Sequence, residues 1–265
     1  MSFHVIRKGS LEYLSADALS AAPHAFTTRF GGVSGGALAS LNLGVHRGDA
    51  PENVWENYRI LGSAVGFSPE QTVFTRQEHT AIVRKVTRAD CGCGLLREPE
   101  QPADALITNE TGVFLVCFSA DCTPVLLFDP EKRAVAAIHS GWRGTAAGIA
   151  AEAVFAMQRE YGSDPAHLRA AIGPCIGPCC FETDRDVPDA IVSRLGAEAL
   201  CAIRKSGEKY FVDLKACCRI WLQRAGVRQI DISEDCTRCQ PERFWSHRAV
   251  GQARGSLAAV IGLGG

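Results

Sequence analysis

The clearest pattern lies in the second half of the chain, where short apolar runs alternate with polar, helix-spaced stretches. Val113–Phe118 is almost continuously apolar, as are Pro124–Phe128 and Ala134–Ile138. Runs of that length and composition predict strands buried on both faces. The third run leads directly into His139-Ser-Gly-Trp-Arg-Gly144. Ile149, Ala153, Met157 and Tyr161 then fall on one stripe and predict a helix over 145–161. Leu168–Ile172 reads as a strand stopped by Gly173-Pro174. Further helices are predicted over 187–200 and 214–225, with a short strand at Tyr210–Asp213 between them. Strands over 227–232 and 256–263 close the chain. Upstream, Pro51, Val54, Tyr58 and Leu61 predict a helix over 51–61. Gly62 weakens that pattern, although Val65 continues the stripe. Residues 71–76 suggest a strand entering Gln77-Glu78-His79, and 88–102 reads as a loop. Mixed strands and helices of this kind argue for an α/β (α+β) fold, a mixed sheet covered by helices, in a single domain over 1–265.

Composition narrows the function classes. The chain has 265 residues, 46% apolar and 22% charged, with a net charge of −1. No basic field exists to hold a nucleic-acid backbone or an anionic membrane. No apolar run approaches the ~20 residues that span a bilayer. The first ten residues lack the basic and apolar regions of a signal peptide. A soluble, cytoplasmic protein is expected, and its 12 cysteines then read as buried thiols, metal ligands or a nucleophile rather than disulfides.

Three residues at or near strand ends stand out. Cys122 lies in Ser119-Ala-Asp-Cys-Thr-Pro124, His139 closes an apolar strand, and His79 follows a strand-like run. One thiolate and two imidazoles would suit zinc, with copper as a rival, and three protein ligands leave a fourth position for water or substrate. Asp121 adjoins Cys122 and could move protons or orient an imidazole. Arg29 and Arg143 carry planar forks that could hold phosphate or carboxylate. The segment Arg29-Phe-Gly-Gly-Val-Ser-Gly-Gly36 lacks the features of a P-loop or dinucleotide fingerprint and reads as a tight turn near a ligand. His24 and His46 flank it. Cys91-Gly-Cys93 and Cys236-Thr-Arg-Cys239 could be two halves of a structural zinc site, while Cys175, Cys179, Cys180, Cys217 and Cys218 read as packing thiols.

Several segments together carry a resemblance: His24-Ala-Phe-Thr-Thr-Arg-Phe-Gly-Gly-Val-Ser34, Leu41-Asn-Leu-Gly-Val-His46, Gln77-Glu-His79, Asp104-Ala-Leu-Ile-Thr108, Ala120-Asp-Cys-Thr-Pro124, His139-Ser-Gly-Trp-Arg-Gly144, Ile172-Gly-Pro-Cys-Ile-Gly177 and Cys236-Thr237. In their order and spacing the chain resembles the YfiH family, also called the multicopper polyphenol oxidoreductase (laccase) family or the purine nucleoside phosphorylase family. The resemblance implies an αβα sandwich similar to that of cysteine-hydrolase-like toxins. It implies zinc ligands at His79, Cys122 and His139. The implied activity is phosphorolysis of adenosine, inosine, guanosine and methylthioadenosine, together with deamination of adenosine. On that reading Asp121, Arg143 and Cys122 are the catalytic candidates, and Arg29, His46 and Arg143 face nucleoside and phosphate. Near the C-terminus Phe244-Trp-Ser-His-Arg248 keeps most of the family texture. Ala249 stands where a second Arg is expected, and Cys239 is extra.

A multicopper centre needs many histidines, commonly in His-x-His pairs; the chain has seven and no such pair. Three other readings stay open. One is a thiol hydrolase or deamidase with Cys122 as nucleophile and His139 as base. Another is a peptidoglycan-editing factor that binds rather than converts. The last is a copper polyphenol oxidase. The sequence does not specify an oligomeric state.

Overall fold

A computed structural model describes residues 2–99 and 101–264. Two six-stranded mixed sheets stack face to face. In spatial order the first contains Phe3–Lys8, Leu11–Ala16, His24–Thr27, Leu257–Gly262, Phe114–Ser119 and Thr72–Val73. The second contains Gln229–Ile232, Arg169–Ile172, Thr123–Asp129, Ala134–Ser140, Ala105–Thr108 and Val83–Lys85. A small third sheet joins Glu182–Thr183, Lys209–Val212 and Ile203–Ser206.

The apolar runs are explained by this stacking. Leu115 and Cys117 point into the layer between the sheets, where they meet Leu126, Phe128, Val135 and Ala137. Their neighbours Phe114 and Val116 point the other way, onto Val54, Tyr58 and Leu61 of the helix Pro51–Val65. Val125 and Leu127 face outward from the second sheet, under Ile149, Ala153 and Met157 of the helix Ile149–Tyr161 and Cys218 and Leu222 of the helix Leu214–Arg224. Both faces of each central strand are therefore covered, and no alternation with polar residues is needed. Helices sandwich a mixed β layer as expected, and that layer is double.

Local boundaries differ from expectation for physical reasons. The first helix runs past Gly62 to Val65 and ends at Gly66, whose φ is +103°. Gly62 is there because a Cβ would lie 2.3 Å from the Phe67 carbonyl oxygen. The helix predicted over 145–161 starts earlier and is broken. Trp142–Ala147 and Ile149–Tyr161 meet at Gly148, φ +84°, over the Trp221 ring. The helix predicted over 187–200 is α only over Asp186–Leu195 and continues as a tighter 3₁₀ turn over Gly196–Ala202.

Candidate metal centre and adjoining pocket

Three local devices bring His79, Cys122 and His139 together. The chain leaves the first sheet at Ser119 and enters the second at Thr123, so Cys122 sits in the turn that crosses between the layers. Asp121 makes the turn possible with φ +89°. His139 lies on the adjacent antiparallel strand, directly opposite Pro124. His79 lies in a loop with φ +61°. The ligand atoms of all three lie within 4.8 Å of one another. Cys122 Sγ is 3.7 Å from His79 Nε2, and the two imidazoles meet edge to face at 4.9 Å.

Asp104 organises this centre. Its Oδ1 accepts from His139 Nδ1 at 2.8 Å and from the His79 backbone N–H at 3.0 Å. Its Oδ2 accepts from the Glu78 and Thr80 N–H groups and from the Thr80 hydroxyl, at 3.2, 2.7 and 2.7 Å. One carboxylate thus fixes the loop carrying His79 and the ring plane of His139, leaving His139 Nε2 for the site. Burial opposes its charge, but these donors hold the carboxyl down to about 2. Burial likewise opposes the Cys122 thiolate; the charge and hydrogen bond of His139, with help from His79, bring the thiol down to about 6. His139 responds in the other direction. Against burial, the Cys122 charge and the Asp104 hydrogen bond raise its imidazolium to about 9. Gly141 completes the enclosure, since a Cβ there would stand 2.4 Å from His79 Cδ2 and 3.2 Å from Cys122 Sγ.

The centre opens into a cavity of about 310 Å³. That volume suits a small molecule. Phe74 and Phe118 form an aromatic wall, packed edge to face at 4.8 Å. Arg47, Arg76 and Arg254 bring positive charge, and exposed His46 sits at the rim, 3.9 Å from Glu98. Arg254 Nε is buried without a partner. Burial, reinforced by the neighbouring charge of Arg47, lowers the Arg254 guanidinium to about 10.

A model of the multi-copper polyphenol oxidoreductase laccase family matches residues 23–264. The chain belongs to this family. It is 39% identical to a Geobacillus stearothermophilus protein named purine nucleoside phosphorylase YlmD, across 89% of this chain and 88% of that one. It is 36% identical to Escherichia coli purine nucleoside phosphorylase YfiH, across 89% and 92% of the two chains. The crystal structure of YlmD from Geobacillus stearothermophilus superposes with a TM-score of 0.92 at 37% identity, covering 98% of this chain and 99% of that one.

Other expected site residues of this family member lie elsewhere. Arg29 stacks on Trp245 at 3.7 Å and donates to the Ala39 and Pro241 carbonyls, which ties the glycine-rich turn to the C-terminal segment. Arg143 lies exposed over the Trp142 ring. Neither lines the cavity. Asp121 is buried and engaged by the Thr237 hydroxyl and the Arg248 N–H, both at 2.6 Å. Orientation of the imidazole falls to Asp104 instead. His24 is a satisfied core histidine, bonded to the Ala16 N–H and the Ala22 carbonyl. The cysteine pairing also needs correction. Cys236 and Cys239 gather not with Cys91 and Cys93 but with Cys179 and Cys180, which were expected to be packing thiols, whereas Cys91 contacts the Gln71 and Gly112 carbonyls. Cys175, Cys217 and Cys218 are buried packing thiols as expected.

Proposed function

We propose that the protein is a zinc-dependent purine nucleoside phosphorylase that also deaminates adenosine. The observation that carries this reading is a two-histidine, one-cysteine centre beside a nucleoside-sized cavity lined by Arg254, a half-buried arginine whose Nε has no partner. The donor set fits the metal. An oriented imidazole, a second imidazole and a thiol with a low pKa converge around a space that Gly141 keeps clear. Zinc prefers such borderline donors over the all-oxygen sets chosen by magnesium or calcium. When bound, zinc supplies Lewis acidity and a water of lowered pKa at the open position.

The chain's own groups account for the rest. His79, Cys122 and His139 would hold the ion, and Asp104 would keep His139 in the tautomer that presents Nε2. Arg254 and Arg47 both line the cavity and their charges repel, and a phosphate dianion bound there would relieve that repulsion while pairing with their forks. The phosphate would thereby be placed as nucleophile toward the anomeric carbon. Phe74 and Phe118 offer an apolar wall to the flat base, with His46 beside the entrance. Copper is the less suitable occupant. Among the described residues the histidine-containing cluster has only three ligands, too few for the several ions that four-electron reduction of oxygen requires.

A second reading draws on the same geometry. Cys122, His139 and Asp104 form a thiolate–imidazolium–carboxylate chain, the arrangement of a thiol hydrolase. His79 speaks for the metal, because a thiol hydrolase has no need of a second imidazole on the sulfur. The experiment is product analysis with inosine and with adenosine, each with and without inorganic phosphate, on zinc-loaded and chelator-stripped protein. Phosphate-dependent release of free base that requires zinc supports the phosphorylase. Turnover undiminished by metal removal, with covalent trapping of Cys122, supports the thiol enzyme instead.

A further inference from the structure

The four-cysteine cluster lies apart from the cavity, on loops that the proposed reaction does not use. Cys179 and Cys180 follow the strand Arg169–Ile172, and Cys236 and Cys239 follow the strand Gln229–Ile232. The two strands are parallel neighbours, so both loops leave the same end of the second sheet. All four sulfurs lie within 4.8 Å of one another. Cys239 Sγ is 3.5 Å from Cys179 Sγ and 3.3 Å from Cys180 Sγ. Four sulfurs around zinc at ~2.3 Å would be separated by ~3.8 Å in a regular tetrahedron. The two closest spacings, 3.5 and 3.3 Å, are a few tenths of an ångström shorter than that value, and no pair exceeds 4.8 Å.

The surrounding backbone is arranged for such a centre. The Cys239 and Gln240 N–H groups both donate to the Cys236 carbonyl at 3.2 Å, folding the Cys-x-x-Cys segment into a tight turn. The Cys180 and Phe181 N–H groups do the same to Gly177, both at 2.9 Å. The Gly177 N–H donates to Cys236 Sγ at 3.1 Å, a bond that favours thiolate. A Cβ on Gly177 would stand 3.2 Å from Cys179 Sγ and 3.3 Å from Cys236 Cβ, so glycine keeps the sulfurs in reach of each other. Zinc with four thiolates carries a net charge of −2. Arg248 lies beside the cluster, donating to the Cys180 and Glu182 carbonyls.

We propose that Cys179, Cys180, Cys236 and Cys239 bind a second zinc ion in a closed, structural four-thiolate site. Four protein ligands leave no open position, so this ion performs no chemistry on substrate. It staples two loops that back the turn carrying Cys122. Ile176 N–H donates to the Asp121 carbonyl at 3.0 Å, and Thr237 donates to the Asp121 carboxylate. The site makes no use of the zinc at His79, Cys122 and His139, and neither proposal depends on the other.

The test uses the full chain, purified under reducing conditions with zinc. The His79→Ala protein weakens the first centre and leaves the thiolate site untouched. Zinc K-edge absorption on it should show tightly bound zinc with four sulfur neighbours at ~2.3 Å. Cobalt substitution should give the intense charge-transfer spectrum of a tetrahedral thiolate centre. Zinc should protect the four cysteines of the cluster from alkylation. Cys179→Ser combined with Cys239→Ser should lose one zinc equivalent per chain relative to wild type. Should that variant fail to fold, the absorption and alkylation results on His79→Ala decide. Four equally reactive thiols with and without zinc, or a disulfide within the cluster in the reduced protein, would overturn the proposal.

Discussion

Replacing Asp104 with Asn keeps the shape of the side chain and removes its charge and half its acceptor capacity. The carboxylate receives five hydrogen bonds, two on Oδ1 and three on Oδ2. If the Asn oxygen takes the Oδ1 position, its amide group faces the Glu78 and Thr80 N–H donors, which lose their acceptor. If the amide is flipped, it faces His139 Nδ1 and the His79 N–H. His139 then keeps that contact only by moving its proton to Nε2, the nitrogen needed for metal. A fully buried orphaned donor costs about 1–3 kcal/mol and these half-buried ones less, so the variant should lose roughly 1–3 kcal/mol of stability. The pH linkage agrees in sign. The carboxyl sits at about 2 against an ordinary 3.8. Its contribution is therefore fully present above pH 3.8 and disappears as the pH falls toward 2. Nearby solvent screens part of it, leaving about 1–2 kcal/mol. Zinc affinity should fall about 10- to 100-fold, the usual effect of removing a group that orients a ligand histidine. Competition with a chromophoric chelator measures the affinity, and urea unfolding of the metal-free protein measures the stability. A folded Asp104→Asn protein that binds zinc within twofold of wild type would refute the role assigned to this carboxylate.

Other consequences can be measured separately. In metal-free protein, alkylation of Cys122 should follow a midpoint near pH 6 and be blocked by zinc; His139→Ala should move the midpoint upward by removing the stabilising cation. Gly141→Ala should push His79 aside and cut zinc affinity by about tenfold or more, with little change in urea midpoint, because the exposed His79 can move while the strands cannot. Arg254→Gln should raise the KM for phosphate by roughly 10- to 100-fold, the equivalent of one charge-assisted bond, and leave bound zinc unchanged.

What was legible in the sequence follows physical lines. Strands buried on both faces announce themselves as unbroken apolar runs, and Phe114–Ser119, Thr123–Asp129 and Ala134–Ser140 were found that way. The strand Phe3–Lys8 is not legible in the sequence, because it is a sheet edge with both faces largely open and its residues follow no pattern. Ala105–Thr108 is apolar but only four residues long, too short for periodicity to register. His79, Cys122 and His139 were singled out as residues near strand ends, yet 43 and 17 residues separate them, and only the sheet crossing at Asp121 joins them. Nothing in the local pattern around Asp104 marks it as a ligand-orienting group except its place at the mouth of the apolar strand Ala105–Thr108. Arg29 and Arg143 stand near motifs in the sequence but not in the folded cavity. The cavity instead takes Arg47, Arg76 and Arg254, from segments that the fold brings together. The spacing of Cys236 and Cys239 is visible in the sequence, but their partners depend on Arg169–Ile172 and Gln229–Ile232 being parallel neighbours.

The most direct measurement incubates inosine with the zinc-loaded protein, the chelator-stripped protein and the Cys122→Ser variant, and quantifies hypoxanthine and ribose 1-phosphate. The account predicts equal amounts of the two products from zinc-loaded wild type, only when phosphate is present, and a loss of at least a hundredfold in the other two samples. Unaltered product formation after the metal is stripped, or no free base from the loaded enzyme with phosphate, would contradict it.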